Sequence, residues 1–126
     1  LRKDTFGRPV LGKRFPFVPL GEASKLALGD PLRLLGYPSA TERNSGGHLT
    51  VLAGIVSSIQ VEGDRLLWLA SDLPASGGNS GGGLFDAEWR LVGIHLSTDT
   101  LAFSRPLERL PKEWWTRIKA AGGGPR

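Results

Sequence analysis

One serine, Ser80, sits in a run of glycines at positions 77, 78, 81, 82 and 83, within Pro74-Ala-Ser-Gly-Gly-Asn-Ser-Gly-Gly-Gly83. Three readings compete for this run. The first is a flexible Gly-Ser tether. Against it, patterned apolar segments flank the run on both sides, which places it inside a fold. The second is a phosphate-binding loop, which needs a lysine followed by Ser or Thr and then a helix. No lysine follows here, and the next segment, Leu84-Phe85, reads as a strand. The third is a nucleophile turn. A serine hydroxyl is a weak nucleophile, so it needs a base and a place for the developing oxyanion. Glycines beside it let two backbone N–H groups converge on one point, and they leave room for substrate.

The rest of the chain must position that turn. It has 126 residues, 40% hydrophobic and 22% charged, an ordinary balance for one domain with one core. Eighteen glycines and nine prolines imply many turns and short strands. Phe15–Leu20 reads as a proline-marked edge strand and Glu22–Leu26 as one helical turn. Leu32–Leu35 reads as a strand, and Ser39–Leu49 as an exposed loop. Leu49–Val61 is rich in β-branched residues, with Gly54 marking a bulge or bend. Glu62-Gly63-Asp64 is a hairpin turn, and Arg65–Ala70 is its partner strand. Leu84-Phe85, Trp89–Leu96 and Thr100–Ser104 complete about six strands, enough to close a small antiparallel β-barrel. Pro111 starts a helix that runs to Ala120, with Trp114 and Trp115 expected as a buried anchor. The expected fold is all-β: a six-stranded antiparallel barrel with a C-terminal α-helix, one domain over 1–126. Residues 1–15 are its entry segment, 107–120 its closing helix and 121–126 its tail.

Composition removes several function classes. The formal net charge is +4, but the basic residues are scattered and no aromatic platform is interleaved with them, so no nucleic-acid partner is expected. The chain has no cysteine, so disulfides and thiolate metal sites are excluded. No His, Asp and Glu cluster has ligand spacing, so no metal or other cofactor is expected. No run is apolar and long enough for a membrane helix. The absence of methionine leads us to expect a piece or a processed product of a longer protein.

Gly78-Asn79-Ser80-Gly81-Gly82 resembles the nucleophile motif of the HtrA (DegP-like) branch of chymotrypsin-fold serine proteases. The surroundings strengthen the likeness. Phe17-Val-Pro-Leu-Gly-Glu-Ala-Ser-Lys-Leu-Ala-Leu-Gly-Asp30 resembles that family's entry into its second barrel, and Leu34-Leu-Gly-Tyr-Pro38 its next strand and turn. Thr50-Val-Leu-Ala-Gly-Ile-Val-Ser-Ser-Ile59, Leu91-Val-Gly-Ile94 and Ala102-Phe-Ser-Arg-Pro106 are similar to later family segments. Ser71-Asp72 stands where the family commonly has Thr-Asp. The resemblance runs in order over residues 16 to 120.

The resemblance implies a role for each matched position. Ser80 attacks a peptide carbonyl, and the N–H groups of Gly78 and Ser80 form the oxyanion hole. His95, Leu96 and Ser97 lie on the strand that pairs with a polypeptide substrate. Pro74 and Ala75 help to shape the pocket for the residue before the cut. Those two are small and apolar, so an aliphatic side chain is expected there.

The departures matter too. Gly77 and Gly83 replace prolines, which should loosen the loop. Asn79 stands where secreted trypsins have an aspartate that pairs with a new N-terminus, so that mode of activation is not expected. The family's catalytic histidine and aspartate come from a first barrel, and neither His48 nor His95 matches that histidine. The expectation is therefore the nucleophile-bearing half of a serine endopeptidase, inactive alone, with an N-terminal barrel as partner. A homo-oligomer through the exposed face, and an extracytoplasmic setting, are also expected. The alternative is a barrel that holds extended peptides without cutting them. A basic nucleic-acid-binding barrel is a third and weaker possibility.

Overall fold

The computed structural model describes residues 3, 5–9, 17–39 and 47–120. Six strands close into an antiparallel barrel: β1 (Pro31–Gly36), β2 (Thr50–Glu62), β3 (Arg65–Ser71), β4 (Gly83–Phe85), β5 (Leu91–Thr98) and β6 (Ala102–Pro106). Their order around the barrel is β1-β2-β3-β6-β5-β4. Two single 3-10 turns, Ala23–Lys25 and Leu107–Arg109, and one short helix, α1 (Lys112–Ile118), lie outside it.

Period-2 alternation builds the core. In β1, Leu32 and Leu34 point inward while Arg33 faces out. With Val56, Leu69, Leu84, Val92 and Ala102 they form the buried cluster at the barrel centre. Leu73 and Ala75, just beyond β3, pack onto the same cluster. Gly63, at φ 62°, makes the β2–β3 hairpin, as its sequence implies.

The long strand β2 behaves differently on its other face. Val51, Ala53 and Ile55 are exposed, and Val51 is 53% accessible. Tyr37 and Leu49, at the neighbouring ends of β1 and β2, are exposed as well, as are Phe17 and Val18.

Four sequence expectations are corrected. Gly54 is not a bulge. It pairs in register with Leu32, while the irregularities in the β2–β3 ladder fall at Val56/Ser58 and Gln60/Val61. Gly54 is small because a Cβ there would stand 2.5 Å from Asp72 Oδ1 and 3.0 Å from Leu73 N. Residues 17–20 form no strand; Leu20 makes one parallel bridge to Leu91, and Gly21 N–H donates to the Leu91 carbonyl. Trp114 and Trp115 anchor nothing in a core, because no residue of α1 is buried and Trp114 is 57% exposed. Pro111 caps α1 rather than opening it, its carbonyl accepting from Trp114 and Trp115. Most of the entry segment, the middle of the Ser39–Leu49 loop and the 121–126 tail lie outside the described residues.

Candidate active site

The turn between β3 and β4 carries Ser80, and its shape rests on two left-handed glycines. Gly78 has φ 91° and Gly81 has φ 85°, values that a side chain rarely tolerates. At Gly78 the space is also taken: a Cβ would lie 2.5 Å from Ser39 N and 2.7 Å from the Tyr37 carbonyl oxygen.

Backbone bonds hold the bend on both sides. Ser39 N–H donates to the Gly77 carbonyl at 2.7 Å, and Gly82 N–H to the Asn79 carbonyl at 2.9 Å. Gly81 N–H donates to the His95 carbonyl at 2.7 Å, and His95 N–H to the Gly82 carbonyl at 2.9 Å. These bonds orient two peptide units. All described peptides are trans, so an N–H points opposite to its own carbonyl. The Gly77 carbonyl faces Ser39, so the Gly78 N–H faces away from it. The Asn79 carbonyl faces Gly82, so the Ser80 N–H faces away from that residue. Among the described residues neither N–H donates to a backbone carbonyl.

Asn79 supports the bend from inside. Its side chain is 1% exposed, and its Nδ2 donates to the Ser76 carbonyl at 3.2 Å. Its Oδ1 lies against Gly36, where a Cβ would collide with it. The sequence marks Asn79 only as a replaced aspartate; its fit against Gly36 depends on a strand 43 positions earlier in the chain.

Ser80 itself is exposed, and its hydroxyl donates to the Leu96 carbonyl at 2.9 Å. A bulge explains that carbonyl. Strand β5 pairs His95 with Ser104 and Ser97 with Phe103, leaving Leu96 unmatched in the ladder to β6. Leu96 and Ser97 are exposed at this edge. His95 differs from them, because both its backbone groups are engaged by Gly81 and Gly82. Pro74 is exposed and Ala75 is buried on the approach to the turn. A cavity of about 380 Å³, lined by Leu35, Gly36, Tyr37, Leu49 and residues 78–83, opens on the other side of Ser80.

Neither histidine reaches the Ser80 hydroxyl as a hydrogen-bond partner. His48 is exposed at the start of β2, where its carbonyl accepts from Thr50 Oγ1. His95 is 1% exposed, its Nε2 lies 3.2 Å from Thr98 Oγ1, and burial pushes its pKa below the ordinary histidine value. Burial disfavours the imidazolium, so His95 is held neutral.

The trypsin-like peptidase domain family matches residues 7–94. Among curated relatives, a putative protease Do-like 14 of Arabidopsis thaliana is 32% identical over 77% of this chain and 24% of its own length. A probable periplasmic serine endoprotease, DegP-like, of Rickettsia prowazekii is 33% identical over 64% of this chain and 16% of its own. The chain thus spans about a quarter or less of these relatives. Among solved structures, the HtrA-type protease AlgW with a tripeptide superposes with a TM-score of 0.64 at 26% identity, covering 90% of this chain and 39% of that one. Barrel order, the Ser80 turn and the match over residues 7–94 agree, and the chain belongs to the trypsin-like peptidase family, as an HtrA-like member.

Proposed function

We propose that this chain is the nucleophile-bearing part of a serine endopeptidase. Ser80 Oγ attacks the peptide carbonyl, and the tetrahedral oxyanion forms against the N–H groups of Gly78 and Ser80. Each such donor is worth about 3–4 kcal/mol of transition-state stabilisation. The observation that carries this reading is an exposed hydroxyl on a bend with two left-handed glycines, beside two backbone N–H groups that no backbone carbonyl of the described residues accepts.

The base and its orienting carboxylate come from a first barrel outside this chain. That barrel docks on the apolar face of Val51, Ile55, Tyr37 and Leu49, the last two of which also line the cavity beside Ser80. The imidazole then takes the proton that Ser80 now shares with the Leu96 carbonyl. A polypeptide substrate adds along Leu96 and Ser97, the exposed residues at the bulge. The solved AlgW relative carries a tripeptide, which supports a peptide ligand. Relatives described as periplasmic support an extracytoplasmic setting. Among the described residues no histidine or carboxylate bonds the Ser80 hydroxyl, and the isolated chain is expected to be inactive. Its uncovered apolar face then pairs with a second copy.

A fluorophosphonate probe tests the reading on the full-length parent, on this chain and on Ser80→Ala. Labelling at Ser80 in the parent, lost in Ser80→Ala and absent from the isolated chain, is expected. A well-folded parent that stays unlabelled overturns it in favour of a peptide-holding barrel.

A further inference from the structure

The outer face of the barrel carries a groove that the chemistry at Ser80 does not use. It encloses about 350 Å³ against β5 and β6, where the chain leaves the barrel for α1. Five apolar residues line it, among them Ile94, Leu107 and Leu110, together with two arginines, Arg105 and Arg109. Among the described residues no acidic one lines it.

The two arginines are held differently. Arg105 is pinned, with its guanidinium over Trp68 at 3.8 Å and its Nη1 donating to the Leu67 carbonyl at 3.0 Å. The Arg109 guanidinium, at the end of the second 3-10 turn, makes no hydrogen bond among the described residues. Neither arginine forms an ion pair with a described residue. Glu108 stands next to Arg109 in the chain but turns away. Its Oε1 accepts from Ser24 N–H, and it lines a separate cavity with Asp64. Arg109 borders that cavity as well, yet pairs with neither acid. An apolar floor with two uncompensated guanidiniums is complementary to a carboxylate on an aliphatic body.

One cross-strand row links this groove to the nucleophile turn. Leu35 of β1 pairs with Gly83 of β4, Gly83 with Ile94 of β5, and Ile94 with Arg105 of β6. All four are half-buried, while their strand neighbours Leu34, Leu84, His95 and Ser104 are buried, so alternation puts the row on the outside. Leu35 and Gly83 line the cavity beside Ser80, and Ile94 and Arg105 line the groove. Neighbouring strands stand about 4.8 Å apart, so about 10 Å separates Gly83 from Arg105, the span of about three extended residues.

We propose that this groove is an accessory site for the polypeptide substrate, and that it holds a segment in which an aspartate or glutamate stands beside an aliphatic residue. This deepens the endopeptidase reading and rests on it. The carboxylate pairs with Arg105 and Arg109, and the aliphatic side chain lies on Ile94 and Leu110. Trp68 already fixes the Arg105 guanidinium, so little rotamer freedom is lost on pairing. A basic segment is repelled, and a wholly apolar one leaves both guanidiniums unpaired. A fatty acid shares the chemistry of the ligand. The row leading to the Ser80 turn favours a polypeptide, which can occupy both places at once.

The test uses the full-length parent as Ser80→Ala, which binds without cutting. Fluorescent peptides carry Glu-Leu, Gln-Leu or Lys-Leu in an otherwise constant sequence. The Glu-Leu peptide is expected to bind about five- to tenfold more tightly than the Gln-Leu one, and less tightly as salt rises. Arg109→Gln is expected to remove that difference with no change in the melting curve, because this guanidinium holds nothing within the fold. With Ser80 restored, a Glu-Leu pair placed beyond the cut site is expected to lower KM and leave kcat unchanged. Equal binding of the Glu-Leu and Gln-Leu peptides overturns the proposal, as does a difference that survives Arg109→Gln. A parent that binds none of the peptides covers the groove with its own chain, and the proposal falls. Oleate that binds where the peptides do not assigns the groove to a lipid and overturns it too. Each of these failures in a parent that the fluorophosphonate labels leaves the endopeptidase reading intact. Binding that depends on Arg109, in a parent that the probe does not label, supports the groove and overturns the cut alone.

Discussion

Two turns bracket the three-residue strand β4, and they are held in opposite ways. The one after it, Asp86 to Arg90, is held by side chains. Asp86 Oδ1 accepts from the N–H groups of Glu88 and Arg90 at 3.0 and 2.9 Å, and its Oδ2 accepts from Arg90 Nε at 2.8 Å. Trp89, in the left-handed region at φ 60° without being glycine, lies under the Arg33 guanidinium at 4.8 Å and beside Phe85. The one before β4 has no such clasp on its exposed side. Its glycines set the backbone, Asn79 props it from within, and two N–H groups are left without a carbonyl partner among the described residues. A turn whose donors are met by its own Asp86 carboxylate and backbone carbonyls contributes stability. A turn that leaves donors open is able to bind a developing charge. The difference is between satisfying a backbone and reserving it.

The comparison breaks most severely at Ser80. In the full-length parent, Ser80→Ala is expected to lower kcat by about 10⁴-fold or more with no loss of thermal stability. Peptide hydrolysis and a melting curve check it together. Residual hydrolysis near the wild-type rate would remove Ser80 from the chemistry. Next comes Gly78→Ala, which puts a Cβ against Ser39 and Tyr37 and forces φ out of the left-handed region. One oxyanion donor is then misdirected, and a loss of about 10²–10³ in kcat is expected, with KM changed far less.

Asp86→Ala attacks the other turn. It leaves the N–H groups of Glu88 and Arg90 without their acceptor and should cost about 2 kcal/mol in urea denaturation. Probe labelling of Ser80 in the parent should persist. Were Asp86→Ala to abolish labelling at temperatures where the protein is folded, the two turns would be coupled through β4 rather than independent.

Much of this architecture is legible locally. The alternation of β1, the Gly63 hairpin and the glycines around Ser80 are each visible within a few residues of sequence. What escapes is set by distant partners. Gly54 reads as a bulge because its real reason, Asp72 and Leu73 at the end of β3, lies across the sheet. The Leu96 bulge depends on register with β6, and nothing in Ile94-His95-Leu96-Ser97 announces it. Trp89 carries a positive φ that its own type argues against, and the Arg33 contact holding it is 56 positions away in the chain. Ser71 and Ser104, whose hydroxyls are buried without a hydrogen-bond partner among the described residues, are common residues in ordinary strand positions until the barrel closes over them.

The smallest expected effect concerns His95, which belongs to neither turn yet is bonded through its backbone to the reserved one. Burial lowers its pKa below the ordinary 6.5, so the folded state binds the proton less readily than the unfolded chain. Below about pH 6.5 the unfolded state takes up a proton that the folded state refuses, and stability falls as the solution becomes more acid. Above that pH both states are neutral at this ring and the contribution is flat. The slope from one proton cannot exceed about 1.4 kcal/mol per pH unit. Urea denaturation at pH 7.5 and 5.5, beside the same pair for His95→Gln, isolates the contribution. The wild-type chain should lose more stability between the two pH values than the variant does. Equal losses would show that the imidazole is protonated in place, and that the interior behind Ser80 accommodates a charge.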